Sequence, residues 1–310
     1  MNPDTVNRLI QGLETKDLRG LAKAITFVEN REDGSEALMN HAYRHMNDKA
    51  LIIGVTGPGG AGKSTLIDGL ITHFRKRKFT VGVIAVDPSS PYTGGAFLGD
   101  RIRMSRHNSD LGVFIRSFGS RGSLGGISQG TKQCLYLFKN FDFDVIIVES
   151  LGVGQDETEI TNFVDVTVVT VVPGFGDSIQ IAKAGIQEIA DIFVVNKADK
   201  PDAEEFYHQM AASLHTIAED IRPVIVKTVA TSDQGLAELS DIIMTIGDRQ
   251  KMKRDAKTRT RVISEIETEV LNLVRKQVSA LIKEKSDDVF NGQATPFEIS
   301  AEIVSRLSIE

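Results

Sequence analysis

The chain has 310 residues, 41% of them hydrophobic, enough to bury one large core with smaller additions. Its formal net charge of −6 argues against a general electrostatic attraction to nucleic acid or anionic lipid. Cys134, the single cysteine, leaves no internal disulfide and fits a reducing compartment.

Residues 1–50 read as a helical extension. Leu18, Leu21, Ile25 and Val28 recur at helical spacing, with Thr15 as a candidate N-cap. The opening MNPDTVNRLI lacks a basic-then-apolar leader pattern, and no apolar run reaches roughly 18 residues. A soluble, cytoplasmic protein with no membrane attachment is expected. Residues 51–246 change character: short apolar runs at 51–56, 81–86, 144–149, 166–172, 192–196 and 224–229 are expected strands, with amphipathic helical stretches between most of them. Strands apolar on both faces that alternate with helices predict an α/β fold, a mostly parallel sheet with helices on both faces. Residues 247–310 are helical again and open on the run RQKMKRDAKTRTR (249–261), which reads as a solvated helix face. Ile263, Ile266, Val270, Leu273, Val274 and Leu281 then form one stripe, and NGQATP (291–296) interrupts the pattern before a short final helix. That stripe must pack on the sheet domain or on another subunit.

The first predicted strand runs directly into GPGGAGKS, residues 57–64, with a helical stretch after it. This is the G-x-x-x-x-G-K-[ST] pattern in the context it requires, and it makes the sheet domain a P-loop NTPase. Gly57, Gly59, Gly60 and Gly62 let the backbone curl, so that the loop's N–H groups, with Pro58 and Ala61 between them, face a phosphate chain. The following helix adds the positive end of its dipole, beginning at Ser64 and Thr65. Lys63 is expected to reach the β- and γ-phosphates, and the Ser64 hydroxyl to ligate Mg²⁺.

Base choice is read from NKAD, residues 196–199, at the end of the predicted strand 192–196. The Asp199 carboxylate can accept hydrogen bonds from the ring N–H and exocyclic amine of guanine; adenine offers no such pair on that edge. Asn196 is expected to brace the loop and the base edge, and the Lys197 stem to lie over the ring. GTP and GDP are therefore the expected nucleotides.

The run DVIIVESLGVGQ (144–155) ends a buried strand in an acid. Glu149 is expected to face Mg²⁺, directly or through water, with the Gly152 N–H on the γ-phosphate. An unpaired carboxylate at that depth would cost too much to be merely structural. In VDPSSPYTGGAFLGDRIRM (86–104), Asp87 and Asp100 are candidates for orienting Mg²⁺ or the attacking water, and Gln155 is another candidate for the water. Asp87 has a competing reading as the cap of the Pro-Ser-Ser turn.

GPGGAGKST, VDPSSPYTGGAFLGDRIRM, FIRSFGSRGSLGG, VIIVESLGVGQDE and NKAD, in this order, resemble the MeaB/ArgK group of GTPases, the methylmalonyl-CoA mutase-associated proteins. DLRGLAKAITFVEN and GQATPFEISAEI look similar too, so the resemblance covers nearly the whole chain. It implies a SIMIBI-class GTPase domain (51–246) between an N-terminal helical extension (1–50) and a C-terminal helical dimerisation region (247–310). It further implies GTP hydrolysis in the service of an adenosylcobalamin-dependent acyl-CoA mutase, whose cofactor loading the protein gates as a chaperone. Glu in place of Asp at position 149 is a mark of the wider family. The base-contacting loop departs from the family pattern: Val229, Ala230 and Thr231 stand where Ser-Ala-Arg is common, and ESLGVGQDE differs from the commoner ETVGVGQSE.

Other signals read as ordinary structure. His41 and His45 are spaced i, i+4 but lack a third ligand nearby, and Cys134 in KQCLYLF reads as a small core residue. Arg116 and Arg121 are candidates for signalling to a partner, with surface pairing as the competing explanation. Alternatives to the chaperone reading are a kinase or ATPase tied to lysine, arginine and ornithine transport, and a metallochaperone GTPase. The second of these would carry His- or Cys-rich tracts, which this sequence lacks.

Overall fold

The computed structural model describes residues 3–87, 104–119, 129–150, 160–174, 188–251 and 254–306. Two compact units divide the chain, Met1–Met252 and Lys253–Glu310.

The first unit opens with three helices, α1 (Pro3–Glu14), α2 (Leu18–Glu29) and α3 (Ser35–Arg44). The cap between the first two is not Thr15 but Asp17, whose carboxylate accepts from the backbone N–H groups of Arg19 and Gly20, each at 3.0 Å. Thr15 instead lies just past the end of α1 and donates its hydroxyl to the Gln11 carbonyl at 2.9 Å. A short carboxylate two residues nearer the apolar run outcompetes the hydroxyl for the free N–H groups.

Seven strands follow: β1 (Leu51–Thr56), β2 (Val81–Asp87), β3 (Val113–Gly119), β4 (Val145–Glu149), β5 (Val166–Val171), β6 (Ile192–Asn196) and β7 (Val224–Thr228). They form one sheet in the order β3-β2-β4-β1-β5-β6-β7, with every pairing parallel. The helices between them are α4 (Lys63–Lys76), α5 (Gln129–Phe141), α6 (Ala203–Leu214) and α7 (Leu236–Lys251). The α/β reading of 51–246 therefore holds. β3 was not among the expected strands, and α7 continues through the expected boundary at 246/247.

Alternation along the strands sends side chains to opposite faces of the sheet, into three buried clusters, with Val169, Val171, Phe193 and Val195 in the third. Ile52, Ile84, Ile146 and Val148 join α5 and the three N-terminal helices in one cluster, so those helices are part of the first unit. Leu51, Ile53, Val55, Ile147, Val168 and Val194 pack on α4 and α7 on the opposite face. Cys134 sits in the first cluster, 1% exposed, as expected of a small core residue. His41 and His45 stack on each other, and Arg116 pairs with Glu29 of α2 at 2.9 Å. Arg121 lies outside the described residues.

The second unit contains α8 (Arg254–Phe290) and α9 (Pro296–Arg306). Thr295 and Glu298 close a capping box at the start of α9: each side chain takes the other residue's backbone N–H, at 3.2 and 2.8 Å. Ile263, Ile266, Val270, Leu273 and Val274 of the predicted stripe are exposed on α8. No helix of the described residues is long and apolar enough to cross a membrane.

Candidate functional site

β1 is buried along its whole length and ends at Thr56, and the chain turns at once into the glycine-rich loop. Gly57 has φ 135°, and a Cβ there would stand 2.1 Å from the Thr170 carbonyl oxygen of β5. Only glycine fits so close to a neighbouring strand. Gly62 has φ 90° and would press a Cβ to 2.5 Å from the Asn196 side-chain nitrogen, so this position too excludes any larger residue. Gly62 is also the N-cap of α4 and supplies no side-chain acceptor. The first N–H groups of that helix therefore face outward with the dipole's positive end behind them.

Lys63, Ser64 and Glu149 come together beside this turn, with side chains 8%, 5% and 4% exposed. The Lys63 ammonium donates to the Gly57 carbonyl at 2.7 Å and lies 3.3 Å from that of Pro58. Ser64 donates its hydroxyl to Glu149 Oε1 at 3.0 Å. Strand order explains that contact: β4 is the immediate neighbour of β1, Val55 pairs in register with Glu149, and the next residue, Ser150, bonds back to the Val55 carbonyl. On the other side of β4, Ala85 pairs with Glu149, so the last residue of β2, Asp87, lies at the same end of the sheet. Of Asp87 only the backbone is described. Asp100, Gly152 and Gln155 lie outside the described residues. Thr65 follows in the first turn of α4, half-buried.

The NKAD loop begins where β6 ends. Asn196, 2% exposed, bonds in three directions: its amide donates to the Ala61 carbonyl at 2.9 Å, and its oxygen accepts from the Thr228 hydroxyl at 3.1 Å and the Ala230 N–H at 3.2 Å. One side chain thus ties the glycine-rich loop, the end of β7 and the loop that follows it. Lys197, at φ 56°, reaches the Gly60 carbonyl at 2.9 Å, a second tie to the same loop. Asp199 is exposed in the turn beyond. Val229, Ala230 and Thr231 lie in the turn after β7, closed by a bridge between Val229 and Gln234. The sequence reading missed Thr228 and Thr170. Neither stands in a recognisable pattern; one supplies a buried hydroxyl and the other a backbone carbonyl, and only the sheet order brings them in.

Among the described residues, no group of three or more His, Cys, Asp or Glu side chains is placed to hold a metal ion. Ser64 and Glu149 instead present two buried oxygens 3.0 Å apart at the start of α4. Hard oxygen donors of this kind, completed by water and phosphate oxygens, are the ligands Mg²⁺ takes.

A doubly covered parallel sheet, a P-loop after its first strand and NKAD after its sixth define a P-loop protein of the GTPase class. The profile of the methylmalonyl Co-A mutase-associated GTPase MeaB matches residues 21–287, and the chain belongs to this family of GTPases. A Pyrococcus horikoshii protein is 42% identical over 97% of this chain and 98% of its own length. The GTPase ArgK of Escherichia coli is 34% identical over 88% of this chain and 87% of its own. The mitochondrial methylmalonic aciduria type A homolog of Mus musculus is 32% identical over 76% of this chain and 61% of its own. Among solved structures, that of LAO/AO transport system kinase covers 99% of both chains with a TM-score of 0.67 and 25% identity. HypB from Helicobacter pylori in complex with nickel shares the fold alone, with a TM-score of 0.51 and 14% identity over 69% of this chain and 93% of that one.

Proposed function

We propose that this GTPase binds GTP between the glycine-rich loop and the NKAD turn, hydrolyses it to GDP and phosphate, and uses the two nucleotide states to gate an adenosylcobalamin-dependent acyl-CoA mutase. The convergence of Lys63, Ser64 and Glu149 at one end of the sheet, with Asn196 joining that end to the NKAD turn, is the observation that supports the site most. The matching family's description, with methylmalonyl Co-A mutase in it, and the name of the mouse relative support the client.

In this reading the phosphates lie along the backbone N–H groups of residues 59–65, and Lys63 turns from the loop carbonyls to the β- and γ-phosphate oxygens. Ser64 and Glu149 would hold Mg²⁺, which when bound supplies positive charge to the phosphate oxygens. Glu149 also fixes the Ser64 hydroxyl, and so sets the oxygen that begins α4. Asp199 accepts the two guanine donors, and residues 229–231 line the base from the other side. Asp87, Asp100 and Gln155 are the candidates for orienting the attacking water, with the Gly152 N–H on the γ-phosphate. The exposed stripe of α8 is proposed to pair with that of a second copy, which makes the protein a homodimer; the proposed setting is the cytoplasm.

A partner that reads the nucleotide state must, by linkage, change nucleotide affinity by the same factor that nucleotide changes its own affinity. Calorimetry of the full chain against an acyl-CoA mutase from the same organism, with GDP and with a non-hydrolysable GTP analogue, measures both sides of that cycle. Nucleotide-dependent binding and a raised GTPase rate are expected. No binding with either nucleotide would remove the chaperone role and leave the GTPase in place, favouring the transport-linked or metal-delivery readings.

A further inference from the structure

The helix that follows the glycine-rich loop also grips the loop on the base side. Gly69 and His73 stand one turn apart on one face of α4. Gly69 admits the fully buried Leu236, whose Cδ1 would lie 2.2 Å from a Cβ at that position. His73, its side chain 12% exposed, bonds Asp233 Oδ1 through Nε2 at 2.8 Å. A carboxylate only accepts, so Nε2 carries the hydrogen. One turn further on, Arg77 reaches Ser240 and Asp241 of α7.

Asp233 is the residue immediately after the 3-10 turn Ala230–Ser232 and adopts φ 64°, inside the loop closed by the bridge between Val229 and Gln234. That loop is held from within by Asn196, through the Ala230 N–H. From outside, His73 holds it at the opposite end. Since α4 starts in the glycine-rich loop, its length between Lys63 and His73 fixes how far the phosphate end stands from the base end.

We propose that His73 is a positioning residue for guanine selectivity, holding Asp233 so that residues 229–232 stay in register with the edge of the base that carries O6. This rests on the reading of 229–231 as the guanine-contacting loop. It assigns specificity to a histidine on the P-loop helix, outside both sequence motifs. Asp233 is half exposed, so the pair stabilises the fold little; exposed pairs change an equilibrium by no more than roughly fivefold. The effect is therefore one of selectivity.

The test uses the full-length protein with Mg²⁺, GDP and 6-thioguanosine diphosphate. The thio analogue keeps both donors for Asp199 and replaces only the O6 acceptor by a poor, longer one. Wild type is expected to prefer GDP. In His73→Ala the Kd for GDP should rise roughly threefold to fivefold while that for the thio analogue stays put, so the preference shrinks by that factor. His73→Gln, which keeps a donor at the same reach, should restore it. Asp233→Gly removes the acceptor without backbone strain at φ 64°, and should reproduce the His73→Ala ratio with no further change in the double variant. If both nucleotides weaken equally, or neither does, His73 is structural and the proposal fails. If wild type does not distinguish the two nucleotides, the base-loop reading beneath it fails as well, while the Asp199 reading stands on its own test.

Discussion

Asn196 is where the fold and the candidate site meet, and replacing it should damage both. Asn196→Ala leaves the Ala61 carbonyl, the Thr228 hydroxyl and the Ala230 N–H each short of a partner, in a setting where Asn196 itself is 2% exposed and Thr228 fully buried. A buried polar group stripped of its partner costs about 1–3 kcal/mol. Thr228 can turn its hydroxyl elsewhere and Ala230 is only half-buried, so about 1 kcal/mol each, or about 3 kcal/mol together, is the working figure. For a unit of this size that lowers Tm by about 6–12 °C. Near-UV circular dichroism without nucleotide is the assay, because bound ligand would shift Tm by mass action. Asn196→Asp serves as a second probe: it keeps an acceptor for Thr228 and Ala230 but sets an acceptor against the Ala61 carbonyl, so it too should destabilise. Asp199→Asn, in the exposed turn three residues on, should leave Tm within about 2 °C. An Asn196→Ala protein that melts with wild type would refute the three-way tie.

Asp199→Asn has its effect on the base instead: GTP binding should weaken by more than about tenfold and xanthosine triphosphate binding appear, and an unchanged GTP affinity would remove Asp199 from the site. Lys63→Ala should lose measurable hydrolysis while folding normally, and Glu149→Ala should lower Mg²⁺-dependent turnover more than GDP affinity; wild-type turnover in the second would make the acid structural. Burial pushes the Cys134 thiol well above its ordinary range, with Arg116 pulling weakly the other way. Alkylation at pH 8 should therefore follow unfolding, read by mass spectrometry, and prompt labelling of the native protein would contradict the packing. A chain ending at Lys251 should sediment as a monomer if the α8 stripe pairs copies, whereas an oligomeric state equal to that of the full chain would remove that role.

The parts of the fold that were legible in the sequence are those whose physics is local. Six apolar runs announced six strands because a doubly covered parallel sheet leaves them nothing polar to mix in. β3 escaped because it is an edge strand carrying Arg116 and Ser117 among its apolar residues. The arginine is explained by Glu29, on a helix far earlier in the chain, and no window around β3 contains that information. The cap of α2 was missed by two positions for a smaller reason: Thr15 and Asp17 are both competent caps, and the carboxylate nearer the apolar run takes the free N–H groups. At the site, the glycine-rich loop was legible because its glycines, lysine and serine stand close together in one recognisable pattern after a strand. Asn196 was expected to brace the loop; that it does so through Ala61, Thr228 and Ala230 only the sheet order reveals. The Lys197 stem was expected over the base ring; that its ammonium also reaches the Gly60 carbonyl, a tie to the glycine-rich loop, had no signal in the sequence.

Sheet order explains why these separate stretches act together. β1 lies between β4 and β5, and its loop is met on one side by Glu149, through Ser64. On the other side the Thr170 carbonyl of β5 stands so close to Gly57 that only glycine fits the turn. Across β5, Asn196 at the end of β6 reaches Ala61 and fills the space beside Gly62. Three neighbours thus fix one short loop by three different means: a hydrogen bond to an acid, a steric limit, and an amide wedged against a glycine. The acid at 149 stands where it does because β4 is the neighbour of β1 and ends level with it. A carboxylate placed there meets the Ser64 hydroxyl in the first turn of α4, and the Glu side chain spans that gap at 3.0 Å.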